Sequence, residues 1–151
     1  MILFNGFIAG IPKAQPRCRA FVRGKHAGVY DPGTADDWKR TIGIELAKSR
    51  PAVPSKLPIQ LSLLFLLPRP KYMLSKKYLP SAIIHTAKPD WDNLGKAVCD
   101  MITQMGYWQD DSQVFECRVL KFYVGVSEQS GCSVTISELP SGLVEMFVGE
   151  C

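Results

Sequence analysis

At 151 residues and 46% hydrophobic content, the chain has the size and apolar supply of one ordinary domain that fills its core without disulfide help. Its five cysteines, Cys18, Cys99, Cys117, Cys132 and Cys151, are odd in number, far apart and without a C-x-x-C pair. That sets aside a disulfide framework, zinc and a redox couple, fits reduced thiols in a cytoplasmic protein, and leaves a net charge of +4 too small to name a partner alone.

Residues 2–8, branched and aromatic, predict a first strand; Asn5 and Gly6 within it, and the lack of a basic stretch before it, argue against a signal peptide. Gly10, Pro12, Pro16, Gly24 and Gly28 then mark an extended basic loop. Thr34 is the expected cap of a first helix, with Asp36 and Asp37 in its first turn and Trp38, Ile42 and Leu46 at four-residue spacing until Pro51. Residues 59–67 alternate as a strand covered partly on both faces, and their apolar run 61–67 is too short to cross a bilayer, so no membrane partner is expected. Residues 69–88 show no period and predict a long loop.

From Asn93 on, Leu94, Ala97, Val98, Met101, Ile102 and Met105 form a helical apolar stripe that Gly106 ends. Residues 114–124 and 132–136 predict two strands joined as a hairpin turning at 127–131. Cys99 and Cys117 fall in apolar surroundings and are expected to act as small hydrophobes. The expected fold class is therefore α+β, a mixed sheet with two helices packed on it, in a single domain over residues 1–139 with a tail from 140 to 151.

Charge is more informative in its placement than in its sum. Lys13, Arg17, Arg19, Arg23 and Lys25 lie in a stretch with no acidic residue, as do Arg69, Lys71, Lys76, Lys77 and Lys88. Two purely cationic segments point to a polyanion, although each alone is most often a solvated surface.

Asp90-Trp91-Asp92 precedes the second helix, and Asp110-Asp111 follows it after Tyr107-Trp108-Gln109. In an extended segment Asp90 and Asp92 project to one side, and clustered carboxylates repel unless a cation neutralises them. Hard oxygen donors without a cysteine and histidine cluster favour magnesium or manganese. Lys96, one helical turn after Asp92, is placed to steady an attacking water or phosphate charge, with Asp100 a turn further as its partner. The plainer alternatives are a helix cap at Asp92 or Asn93, a solvated Lys96–Asp100 pair, and Trp91, Tyr107 and Trp108 as packing residues rather than base-stacking platforms. His26 and His85 have no partners in sequence and are given no catalytic role.

Taken together, Lys88-Pro89-Asp90-Trp91-Asp92-Asn93-Leu94-Gly95-Lys96-Ala97, then Asp100, then Asp110-Asp111-Ser112-Gln113-Val114, resembles the RusA family of Holliday junction resolvases. The segment from Pro12 to Arg19 with Tyr30-Asp31-Pro32 is similar to the basic segment of phage-borne members. The resemblance implies a homodimeric endonuclease of DNA recombination and repair that binds four-way junctions and makes paired nicks. It also implies that Asp90, Asp92 and Asp111 are the metal-holding aspartates and Lys96 the essential lysine. The cofactor implied is Mg2+, with Mn2+ as a substitute. Between Asp110 and Asp111 the residues alone do not choose. Two alternatives stay open, a non-catalytic DNA-binding module and a nuclease of flaps or duplexes. Gly95 within the helix costs about 1 kcal/mol relative to alanine.

Overall fold

The computed structural model describes residues 1–140; the expected tail lies, from 141 on, outside the described residues, as does Cys151. Among the described residues seven strands and two α-helices follow in order: β1 (Ile2–Ala9), β2 (Arg19–Arg23), β3 (His26–Tyr30), α1 (Asp36–Ala47), β4 (Ile59–Leu67), β5 (Ile83–Ile84), α2 (Trp91–Gln104), β6 (Val114–Tyr123) and β7 (Gly131–Glu138). Five strands make one mixed sheet in the order β1-β7-β4-β6-β5, with β4 and β6 parallel and the other pairings antiparallel.

Alternation in β4 builds the core. Ile59, Leu61, Leu63, Phe65 and Leu67 all turn to one buried face, while Gln60, Ser62, Leu64 and Leu66 on the other stay half-buried or exposed. The buried face meets Trp38, Ile42 and Leu46 of α1 and Leu94, Val98, Met101 and Ile102 of α2, so the two helices and the sheet share one apolar cluster. Such a side chain contributes about 1.5–3 kcal/mol on full burial, and helix amphipathicity alone therefore fixes which way α2 faces. Gly95 is buried against β4 and β6, its position for a Cβ 3.7 Å from Val119 and 3.9 Å from Leu63. No described helix is long and apolar enough to cross a membrane.

Four local expectations are corrected. The cap of α1 is Ala35, without a side-chain bond, and not Thr34. The basic loop contains a hairpin, β2 paired with β3 through a two-residue turn in which Gly24 has φ +64. A positive φ at the first turn residue is what a tight hairpin requires, and glycine adopts it without strain. The loop at 69–88 holds a 3-10 turn, Lys71–Leu74, and the short β5, which pairs with β6.

The fourth correction concerns the last two strands, which do not form a hairpin. Strand β7 sits between β1 and β4, and β4 separates it from β6. The reason is topological: α2 carries the chain back so that β6 lies parallel to β4 on one side, and β5 takes the outer edge of β6. Fully buried Cys132, Val134 and Ile136 need a neighbour on each side, which the gap between β1 and β4 supplies. The connecting chain crosses the end of β4, where the Val124 amide donates to the Leu67 carbonyl at 2.8 Å.

Candidate functional site

The site is organised by α2. Its N-cap is Asp90, whose backbone is extended and whose carboxylate makes no capping bond. Asp92 already lies in the first helical turn, where the helix dipole favours its charge. Same-side projection from an extended segment is therefore not what relates the two. They meet because both border one open hollow of about 620 Å³, together with Lys88, Trp91 and Lys121. Neither Asp92 nor Asn93 is the cap, and the Asp90 carboxylate makes no capping bond, so the carboxylates of Asp90 and Asp92 remain available to a ligand.

Lys121, on β6, was not foreseen. Its Nζ donates to the Ala87 carbonyl at 2.9 Å and the Pro89 carbonyl at 2.7 Å, fastening the segment that ends in Asp90. Nothing in the sequence signals this, because the contact joins residues more than thirty apart through the sheet. The Lys88–Pro89 peptide in this segment is cis.

At the far end of α2, Asp110 and Asp111 part ways. The Asp110 carboxylate accepts from the Ser112 amide at 2.8 Å, within a capping box completed by Gln113. The Ser112 bonds hold its pKa below the ordinary carboxylate value. Asp111 Oδ1 instead accepts from Thr103 Oγ1 at 2.5 Å and Trp108 Nε1 at 3.1 Å. Asp110 shapes the turn, and Asp111 is held by the helix end. A second open hollow, about 750 Å³, is bordered by both Asp110 and Asp111, together with Asp36, Asp100 and Lys39. Gln113 fixes the turn from four sides: its Oε1 accepts from the amides of Gln109 at 2.7 Å and Asp110 at 3.0 Å, and its Nε2 donates to the carbonyls of Ser55 and Leu57, both at 3.0 Å. Its presence in the sequence motif was the available signal for that role.

One chain does not gather the three expected metal residues. Asp111 touches Thr103, eleven residues after Asp92, which is about 16 Å of helix rise. Among the described residues, no group of three or more histidine, cysteine, aspartate or glutamate side chains is placed to hold one ion. Within one chain Asp90 and Asp92 border one hollow, and Asp111 stands at the other end of the helix.

Lys96 lies between the two ends. Its exposed Nζ is 3.5 Å from Asp100 Oδ1, while Lys39 reaches Asp100 Oδ2 at 3.7 Å, so Asp100 orients both lysines. Partly exposed pairs of this kind stabilise by only about 0–1 kcal/mol, which leaves Lys96 easily redirected. Cys99 behind it is pushed up to about 12 by burial, reinforced by Cys117, Asp111 and Asp100, and acts as a hydrophobe. Cys117, expected in the same role, is exposed on β6.

The aromatic residues divide. Tyr107 and Trp108 are fully buried, and the Tyr107 hydroxyl donates to the Leu46 carbonyl at 2.8 Å. Trp91 is 59% exposed at the rim of the Asp90–Asp92 hollow. Among the cationic residues, Lys13, Arg17, Arg19, Arg23, Lys25, Lys71, Lys76, Lys77 and Lys88 are exposed. The Arg69 guanidinium is instead engaged by the carbonyls of Val124, Met73 and Ser81, closing the loop that follows β4. His85 is buried and lies 4.3 Å from Tyr123, ring centre to ring centre.

A family model described as "Endodeoxyribonuclease RusA" matches residues 9–137. An uncharacterized Bacillus subtilis protein, YqaN, is 32% identical over 137 residues, covering 87% of this chain and 94% of its own. The crossover junction endodeoxyribonucleases RusA of Escherichia coli K12 and of Enterobacteria phage 82 are each 42% identical over 50 residues, 33% of this chain and 40% of theirs. The matched stretch therefore spans well under half the length of those two nucleases.

Proposed function

Because this chain belongs to the RusA family of endodeoxyribonucleases, we propose that it is a crossover junction endonuclease that cuts four-way DNA junctions by paired, symmetry-related hydrolysis of phosphodiester bonds. The observation that carries the reading is the hollow at the start of α2, where two carboxylates with no capping duty stand beside two lysines. Such a mixture suits a phosphodiester, whose oxygens need cations and whose hydrolysis needs a site for a divalent ion.

The donors fit that ion. Magnesium prefers oxygen ligands and commonly takes one or two carboxylates, completing its shell with water and substrate phosphate. Asp90 and Asp92 would hold it, and when bound it would supply a water of lowered pKa and neutralise phosphate charge. Lys88 is placed to meet the backbone phosphate, and Lys121 keeps Asp90 in position by pinning Pro89. Lys96, released from its weak pairing with Asp100, offers its charge to the phosphate oxygens as negative charge builds on them.

Asp111 enters through symmetry. In a two-fold dimer with the two copies of α2 running antiparallel, the N-terminal end of one helix faces the C-terminal end of the other. Asp90 and Asp92 would then be joined by Asp111 of the partner subunit. Two such sites per dimer match the two strands to be cut. The exposed basic residues bind phosphates without base preference, giving salt-sensitive affinity.

The test is cleavage of a synthetic four-way junction with magnesium against a chelated control, alongside flap and duplex substrates. Cutting confined to the junction is expected, and Asp92→Asn is expected to abolish it with binding retained. Equal cutting of flaps or duplex refutes the substrate assignment, and binding without any cutting reduces the protein to a DNA-binding module. Mixing Asp92→Asn with Asp111→Asn subunits tests the dimer: shared sites regain up to about a quarter of wild-type nicking, since half the dimers are mixed and half their sites intact. Sites within one chain regain none.

A further inference from the structure

The β2–β3 hairpin forms a two-stranded sheet separate from the main one, and nearly all its residues are exposed. Cross-strand partners share a face, so the register sorts its side chains. Arg19 pairs with Tyr30, Phe21 with Gly28 and Arg23 with His26, which places two arginines, two aromatic rings and a histidine on one face. Ala20 pairs with Val29 and Val22 with Ala27, so the other face is aliphatic.

The first face has a built character. The Phe21 ring lies across Gly28, where a Cβ would come within 2.8 Å of it, and stands 6.1 Å from the Tyr30 ring at 62°. The rings nevertheless remain 45% and 46% exposed, flanked by Arg19 and Arg23 on the same side. Exposed aromatic surface framed by cations, on a segment without an acidic residue, complements a polyanion that also offers flat apolar faces.

The base of the ribbon is fastened to the site. Gln15 donates its backbone amide to the Asn93 carbonyl at 2.9 Å and its Nε2 to Asp31 Oδ2 at 3.1 Å, tying the residue after β3 to the first turn of α2 beside Asp92. From there, five residues per strand give a reach of about 17 Å.

We propose that this face is the element that recognises the branch point. Arg19 and Arg23 engage phosphates, while Phe21 and Tyr30 stack on bases left unpaired where the strands exchange. The ribbon thereby supplies a preference for branched over continuous duplex DNA that phosphate contacts cannot give. This rests on the DNA-cleaving reading above but makes no use of the carboxylates, so the two can fail separately.

The test is binding in chelator, followed by fluorescence anisotropy, to a four-way junction and to a duplex of the same sequence, with 2-aminopurine at the branch as a stacking probe. Phe21→Ala is expected to weaken junction binding on the order of tenfold, leave duplex binding within about twofold, and remove the 2-aminopurine quenching. Arg19→Gln with Arg23→Gln is expected to weaken both substrates and lower the slope of log affinity against log salt by about 1.8. Val22→Ser with Val29→Ser is expected to change neither. These substitutions are on exposed positions, and an unaltered circular dichroism spectrum shows that each variant is folded. Equal loss of junction and duplex binding by Phe21→Ala, or no loss, overturns the proposal while the nuclease reading stands. A defect from the valine variant instead assigns the ribbon's contact to its aliphatic face, which also overturns it. Wild-type protein that binds neither DNA sinks both readings.

Discussion

Replacing Gln113 by leucine should be costly out of proportion to its position on the surface side of a short turn. The side chain makes four hydrogen bonds to main-chain groups, joining the 109–110 amides to the 55–57 carbonyls. Leucine keeps the volume and removes all four. A hydrogen bond contributes about 0.5–1.5 kcal/mol net, and water reaches most of these groups once the amide is gone, so the low end applies. Four bonds at about 0.5 kcal/mol each give about 2 kcal/mol, or a Tm lower by about 4–8 °C for a chain of this size. Urea unfolding measures the loss, and hydrogen exchange at the Gln109 and Asp110 amides should quicken specifically. A loss below about 0.5 kcal/mol with unchanged exchange would refute the idea that this side chain holds the turn carrying Asp111.

Gly95→Ala should stabilise the protein by about 0.5–1 kcal/mol in the same assay, because the added methyl meets Val119 and Leu63 at ordinary contact distance while helix propensity improves; a loss would show the helix–sheet approach to be tighter. His85 has its pKa lowered by burial and then by the charge of Lys121, so it folds neutral. The unfolded chain binds a proton below its ordinary value of 6.5 and the folded chain does so only at lower pH, so stability should fall as pH drops below about 6.5 and His85→Phe should flatten that fall. Of the three tryptophans, Trp38 and Trp108 are buried and Trp91 is exposed at the hollow. Junction DNA should therefore quench tryptophan fluorescence in the wild type and leave Trp91→Phe nearly unchanged; quenching that survives the substitution would place the DNA elsewhere.

Periodicity made much of this legible in advance. The stripes of α1, α2 and β4 follow from burying one face of each element, a requirement written in residues three, four or two apart, and the structure places them as expected. The D-x-D pair, Asp111 and Lys96 were likewise visible as a motif, and their link to a family came from unbroken spacing. Local chemistry was less legible: the cap at Ala35 and the basic hairpin depend on turn geometry that composition underdetermines.

What the sequence by itself determined, then, was which residues lie inside and which acidic and basic side chains are candidates for the chemistry, because burial and charge are properties of each residue and its near neighbours. Only the tertiary structure decided that β7 inserts between β1 and β4 and that Lys121 pins Pro89. Those are distances across the fold. They are set by how the α2 crossover lays β6 beside β4, which no local stretch of residues contains.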